Sequence, residues 1–76
     1  MYVVSISVDS RKENIPEVQE VLTKYGEKIS TRLGIHNNIN EHNGIIITIY
    51  TQNDVEDFVE ELNTISGTSV NYMEIM

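Results

Sequence analysis

The chain predicts an α+β domain in which two helices cover one face of a four-stranded antiparallel sheet. Three observations lead there. Strand-like alternation opens the chain at Tyr2–Val8, and two amphipathic helical patterns follow, the first running to about Leu33 and the second from Val55 to Ile65. The segments then fall in the order β-α-β-β-α-β. Right-handed crossovers in the two βαβ halves place both helices on the same side of one sheet, a ferredoxin-like sandwich over residues 1–76 as a single domain.

The elements are justified in turn. Tyr2, Val4, Ile6 and Val8 share one strand face, with Val3, Ser5 and Ser7 opposite. Asn14 with Glu17 reads as a capping box, and Pro16 suits a first helical turn. Ile15, Val18, Val21, Leu22, Tyr25, Ile29 and Leu33 recur in steps of three and four, which carries the helix to about Leu33. Glu20 and Lys24 supply an i,i+4 pair, and Lys28 and Arg32 suit the negative end of the helix dipole. Gly26 is the weak point inside that helix, and Gly34 suits the left-handed position that ends one. A short strand around Arg32–Asn37 and an asparagine-rich hairpin follow, closing near His42–Gly44. Ile45–Thr51 is the strongest strand, apolar on both faces. Asn53 with Glu56 opens the second helix, which faces inward through Val55, Phe58, Val59, Leu62 and Ile65 and stops at Gly67. Thr68–Ile75 is the last strand, with Val70 and Tyr72 on one face and Met73 and Ile75 on the other. The uncovered sheet face is expected to carry Val3, Ile46, Tyr50 and Met73, apolar surface that suggests a homodimer or higher oligomer.

Composition narrows the function classes. With 76 residues and no cysteine, the chain has neither a disulfide nor a thiolate metal site to support a small core. The net charge is −7. All five Lys and Arg lie at or before Arg32, and the acidic excess follows it. Clustered cations are what bind phosphate backbones, so direct nucleic-acid binding by this chain is not expected. The opening MYVVSISVDS lacks the pattern of a signal peptide and no stretch could span a membrane, so a cytoplasmic location is expected.

Enzyme readings find little support. There is no cysteine nucleophile, no glycine-rich phosphate loop before a helix, and no spacing that joins Ser5, Ser7 or Ser10 to a His-Asp pair. Arg11 stands where an acylphosphatase-type domain holds its anion loop, but the glycines of such a loop are missing. His36, Glu41 and His42 are the one cluster of metal-ligand types, at a spacing that matches no specific motif. The plain reading is a solvated loop, and no metal or other cofactor is expected. Asp54, Glu56, Asp57, Glu60 and Glu61 make the second helix strongly acidic. Lys24, Lys28 or Arg32 of the first helix is expected to offset part of that repulsion.

The run Tyr25-Gly26-Glu27-Lys28-Ile29-Ser30-Thr31-Arg32-Leu33-Gly34-Ile35 resembles the core of the iron-only hydrogenase system regulators, an ACT-like family related to the C-terminal half of nickel-responsive repressors. The similarity continues through Ile45–Ile49, Asn53-Asp54-Val55 and Gly67-Thr68-Ser69-Val70. It implies an ACT-type ferredoxin-like fold, a homo-oligomer, and a transcription-related regulatory role without catalysis. A small effector sensed at subunit junctions would fit that role; the alternative is an assembly module with no small ligand. The chain departs from the family at HNNINEHNG (residues 36–44) and lacks the cysteine with which nickel repressors hold metal. The closest match and the departure meet at Arg32-Leu33-Gly34-Ile35-His36. Arg32, Gly34, Ile35 and His36 are therefore the expected ligand-binding residues.

Overall fold

The computed structural model describes residues 1–36 and 43–76, with the backbone alone for Ser10 and His36. Its elements are β1 (Tyr2–Asp9), α1 (Ile15–Lys24), β2 (Ile29–His36), β3 (Asn43–Tyr50), α2 (Val55–Asn63) and β4 (Thr68–Glu74), with 3-10 turns at Ser10–Lys12 and Gly26–Lys28. The strands lie in the order β2-β3-β1-β4, all pairings antiparallel. This is the ferredoxin-like sandwich the sequence predicts.

Alternation on β1 sets the inner face. Val4, Ile6 and Val8 are buried and meet Val18 and Leu22 of α1 and Val55, Phe58, Val59 and Leu62 of α2. Register carries that face across the sheet. Val4 pairs with Thr48 and Tyr72, and Ile6 with Ile46 and Val70, so Thr48, Tyr50 and Ile46 point toward the helices. The expectation that Ile46 and Tyr50 lie on the uncovered face is thus corrected; Ile45, Ile47 and Ile49 lie there instead, beside Val3 and Met73. A strand apolar on both faces leaves its facing to be decided by its partner, and β1 decides it. Thr48, the buried polar residue among these, donates its hydroxyl to the Val4 carbonyl at 3.3 Å.

The first helix is shorter than its apolar spacing suggests. It ends at Lys24, and Tyr25 closes it with its N–H on the Val21 carbonyl at 3.1 Å. Gly26 then opens the 3-10 turn in place of sitting inside a helix. The β-branched Ile29, Thr31 and Ile35 pair with the isoleucine-rich β3, and cross-strand burial outweighs a helical spacing that Ile29 and Leu33 happen to share. Three expectations fall with it. Lys28 and Arg32 are not at a helix C-terminus. Lys24 pairs with Glu61 of α2, not with Glu20. Gly34 lies within β2, and the described glycine with a left-handed φ is Gly67, at 82°.

Both capping boxes are also replaced. Asn14 does precede α1, but its side chain makes no cap; it is 2% exposed and donates to the Ser66 carbonyl at 2.7 Å. The residue before α2 is Asp54 rather than Asn53, and its carboxylate is engaged elsewhere. Asn14 and Asp54 are spent on contacts between elements, which in so small a domain tie loops that caps would leave free.

Candidate functional site

Two places gather chemistry-bearing side chains. The first lies where the end of β3, the start of α2 and the turn before β2 meet. Tyr50, fully buried, stacks on Phe58 with ring centroids 5.0 Å apart, and Tyr25 tilts against Phe58 at 5.2 Å. The Tyr50 hydroxyl donates to Asp54 Oδ1 at 2.8 Å, and Lys28 Nζ donates to Asp54 Oδ2. Lys24 and Lys28 each stand 5.7 Å from the centre of the Tyr25 ring. Lys24 and Lys28 thus offset part of the acidity of α2, as expected, whereas Arg32 does not join them.

The electrostatics of this cluster make it a tie. The Lys28 ammonium first, and the Tyr50 hydroxyl second, hold the Asp54 carboxyl below its ordinary value. Burial pushes the Tyr50 phenol up, and its bond to Asp54 adds to that. The same carboxylate raises Lys28. A phenol kept protonated and a carboxylate pinned by two donors offer neither a nucleophile nor a base near neutral pH. A consequence is a pH-dependent stability. The folded pKa of Asp54 is depressed, so its contribution is present above the unfolded value near 4 and is lost as pH falls through the folded one. Asp54→Asn is therefore expected to melt a few degrees below wild type at pH 7, with the gap closing below about pH 4. Thermal melts across pH check this, and a gap constant down to pH 2 would contradict it.

The second place contains the residues the family resemblance pointed to. A bulge at Ser30, between Ile29 and Thr31 in the β2–β3 register, shifts the facing of everything after it. Arg32 and Gly34 then face the helix side, where they pair with Thr48 and Ile46, while Leu33 and Ile35 face outward opposite Ile47 and Ile45. Arg32 donates to Gln19 Oε1 of α1 at 2.7 Å. Its dipole role is replaced by this neutral partner; the ion pairs among the described residues are Arg11–Asp9, Lys24–Glu61 and Lys28–Asp54. Gly34 and Ile35 line an open concavity of about 350 Å³ with Val8, Ile15, Gly44, Ile45 and Ile46. A Cβ added at Gly34 or Gly44 would meet nothing within 4 Å, so the two glycines leave a patch of sheet bare beside the start of α1. His36 pairs with Gly44 at the end of the strand. Glu41, His42 and the asparagine-rich hairpin, and with them the candidate metal cluster, lie outside the described residues.

The structure thus brings Gly34 and Ile35 to one concavity, with Arg32 one inward-facing position further along β2. Sequence reading missed Gly44, Ile45, Val8, Ile15 and Ile46 as its other walls. The signal available was a pair of glycines, Gly34 and Gly44, one on each side of the asparagine-rich stretch. Elsewhere the salt-bridged Asp9, drawn down to about 2 by its bonds to Arg11, closes the corner of β1. No helix of the described residues is long and apolar enough to cross a membrane.

Residues 1–71 match the family model described as "TM1266-like: Iron-only hydrogenase system regulator, putative". Among solved structures, the uncharacterized protein TM1266 from Thermotoga maritima is similar at a TM-score of 0.87 and 28% identity, over 99% of this chain and 95% of that one. A formyltetrahydrofolate deformylase from Pseudomonas putida KT2440 is similar at 0.62 and 9% identity, over 97% of this chain and 28% of that one. An antibiotic biosynthesis monooxygenase is similar at 0.59 and 12% identity, over 100% and 99% of the two chains. At such identities the last two are likenesses of fold alone. A comparison with curated proteins finds no match.

Proposed function

Because the chain belongs to the TM1266-like family of iron-only hydrogenase system regulators, we propose that it is a non-catalytic regulatory domain, connected with transcription, that works as a homo-oligomer and senses a small effector beside a subunit junction. The observation that carries this reading is the bare concavity at Gly34 and Gly44, with Arg32 close by on the same strand face. Two strand positions at about 3.4 Å each separate Arg32 from Gly34, so a ligand a few carbons long reaches both. Apolar walls suit an aliphatic tail, and a guanidinium whose partner among the described residues is a neutral amide suits a carboxylate. The effector class is therefore a small aliphatic carboxylate. Arg32, Gly34 and Ile35 are its binding residues, with His36 at the strand end.

The site also touches the part of the surface a second copy would use. Ile35 and Ile45 line the concavity and pair with their side chains on the outer sheet face, so a ligand on the helix side and a partner copy on the outer side would share these two residues across the thickness of the sheet. That is the physical route by which binding would alter assembly.

A thermal-shift series with small aliphatic carboxylates tests the reading. A ligand at a hundredfold excess over its Kd adds about 2.7 kcal/mol, on the order of 10 °C for a domain of this size. Gly34→Val, which places a β-branched side chain over the bare floor, is expected to keep the wild-type fold while abolishing that shift. Wild type showing no shift with any carboxylate would leave the assembly-module reading in its place.

A further inference from the structure

The outer face of the sheet is uneven in a regular way. Register aligns it in rows that cross all four strands in the order β2, β3, β1, β4. One row is Leu33, Ile47, Ser5, Asn71; those flanking it are Ile35, Ile45, Ser7, Ser69 and Thr31, Ile49, Val3, Met73. In the first two rows the β2–β3 half is bulky and the β1–β4 half is small and polar. The small half contains a hollow of about 190 Å³ lined by Val3, Ser5, Asn71, Tyr72 and Met73. Leu33 and Ile35 on the other half are 56% and 43% exposed. Among the described residues no charged side chain stands on these rows, although the chain carries −7. Among the described side chains the one charge on this face, Asp9 at its corner, is bonded to Arg11.

We propose that this face is the contact between two copies of the chain, related by a two-fold axis that runs along the strands. The inference rests on the homo-oligomeric reading above and names the surface and geometry. Rotation about such an axis exchanges left and right across the sheet and keeps the level along the strands. Each row then meets its own copy reversed. Leu33 lies over Asn71 of the second copy and Ile47 over Ser5, so the bulky half of each copy fills the small half of the other. The Leu33 side chain enters the hollow between Val3, Ser5, Asn71 and Met73. An axis across the strands would instead set Leu33 on Leu33 and leave both hollows empty.

Charge selects a second copy as the occupant. Two chains of −7 repel, and their closest approach costs least where neither presents charge. Size agrees. Four strands about 4.8 Å apart, seven or eight residues long at about 3.4 Å each, give a face of roughly 25 by 19 Å. Two such rough surfaces bury on the order of 1,000–1,200 Å², the lower bound of a specific interface. The two sheets then pack about 10 Å apart, turned by about 30° through their twist.

The test is the assembly state and the geometry of cross-linking. Wild type sediments as a dimer or a multiple of one at micromolar concentration. Leu33→Lys, at a position 56% exposed in the single chain and so expected to keep the wild-type fold by circular dichroism, weakens the dimer at least tenfold. Adding Asn71→Asp in the same chain restores it, because the new lysine faces the new aspartate across the two-fold axis. The chain has no native cysteine, so Leu33→Cys and Asn71→Cys provide unique thiols. The double variant is joined between chains by a short bismaleimide, whereas Leu33→Cys alone is not. Self-cross-linking of Leu33→Cys alone overturns the axis. An oligomer that survives Ile47→Glu overturns this face while leaving the homo-oligomeric reading intact. A monomeric wild type overturns both, and the face then belongs to a different protein.

Discussion

Phe58→Ala is expected to unfold much of this protein at 37 °C. The ring is fully buried between Tyr50 and Tyr25, 5.0 and 5.2 Å from their centroids, and α2 presents it to the sheet. Truncating a buried phenylalanine costs about 3–5 kcal/mol, the transfer of the ring plus the cavity it leaves. At 0.05–0.15 kcal/mol per residue, a domain of this length holds only about 4–11 kcal/mol in all. The loss here falls in the upper part of the range, because two neighbours cannot follow the missing ring. Tyr50 is held by its bond to Asp54, and Tyr25 sits between Lys24 and Lys28. A fall of roughly 15–30 °C in Tm is expected. Phe58→Leu, which keeps most of the volume, should cost about 1.5 kcal/mol or less. Circular-dichroism melts of both variants check this. An alanine variant within a few degrees of wild type would show that the aromatic cluster is not the centre of stability.

The fold was legible in the sequence because the inner face of β1 and the apolar face of α2 are unambiguous. Tyr2–Val8 alternates cleanly, and Val55, Phe58, Val59, Leu62 and Ile65 leave no second helical face to choose. What misread was the region where two periods agree. Ile29 and Leu33 stand four apart, which fits a helix, and Ile29 and Ile35 are also β-branched residues that suit a strand. Only a paired neighbour decides between them, and the partner of Ile29 is Tyr50, beyond the span of any local pattern. The facing of Ile45–Tyr50 is hidden for the same reason: a strand apolar on both sides carries no internal mark of which side is covered. The candidate site shares that limit. Gly34 and Ile35 were reached through resemblance, but the bulge at Ser30, which turns Arg32 and Gly34 toward the helices, leaves no trace in composition. The caps failed for a different reason. Asn14 and Asp54 stand beside helix starts, yet their side chains bond Ser66 and the Tyr50–Lys28 pair, partners that no local pattern shows.

Gly67→Ala is the second substitution expected to do large damage, and its cause joins backbone strain to the misread asparagine. Gly67 turns the chain from the end of α2 into β4 at a φ of 82°, where a side chain is strained wherever there is room for it. Here there is none. A Cβ would come within 2.5 Å of Lys12 Cγ and 2.9 Å of Asn14 Nδ2. The backbone strain alone costs about 1–3 kcal/mol. Lys12 is exposed, but its own Cβ also lies 2.9 Å away and moves only with its backbone; Asn14 is buried and its amide holds the Ser66 carbonyl, so displacing it breaks the tie between the start of α1 and the end of α2. The same turn carries the Gly67 carbonyl that accepts the Asp9 N–H at 2.9 Å. Three elements therefore depend on one residue without a side chain. Gly26→Ala is the control: nothing lies within 4 Å of its Cβ and its φ is not in the left-handed region, so the exchange should be neutral or stabilising by up to about 1 kcal/mol. Urea midpoints of the two variants, read with unchanged m-values, separate the cases. If Gly67→Ala lost no more than Gly26→Ala, the turn would be relaxing freely, and Asn14 would not be the joint between the two helices.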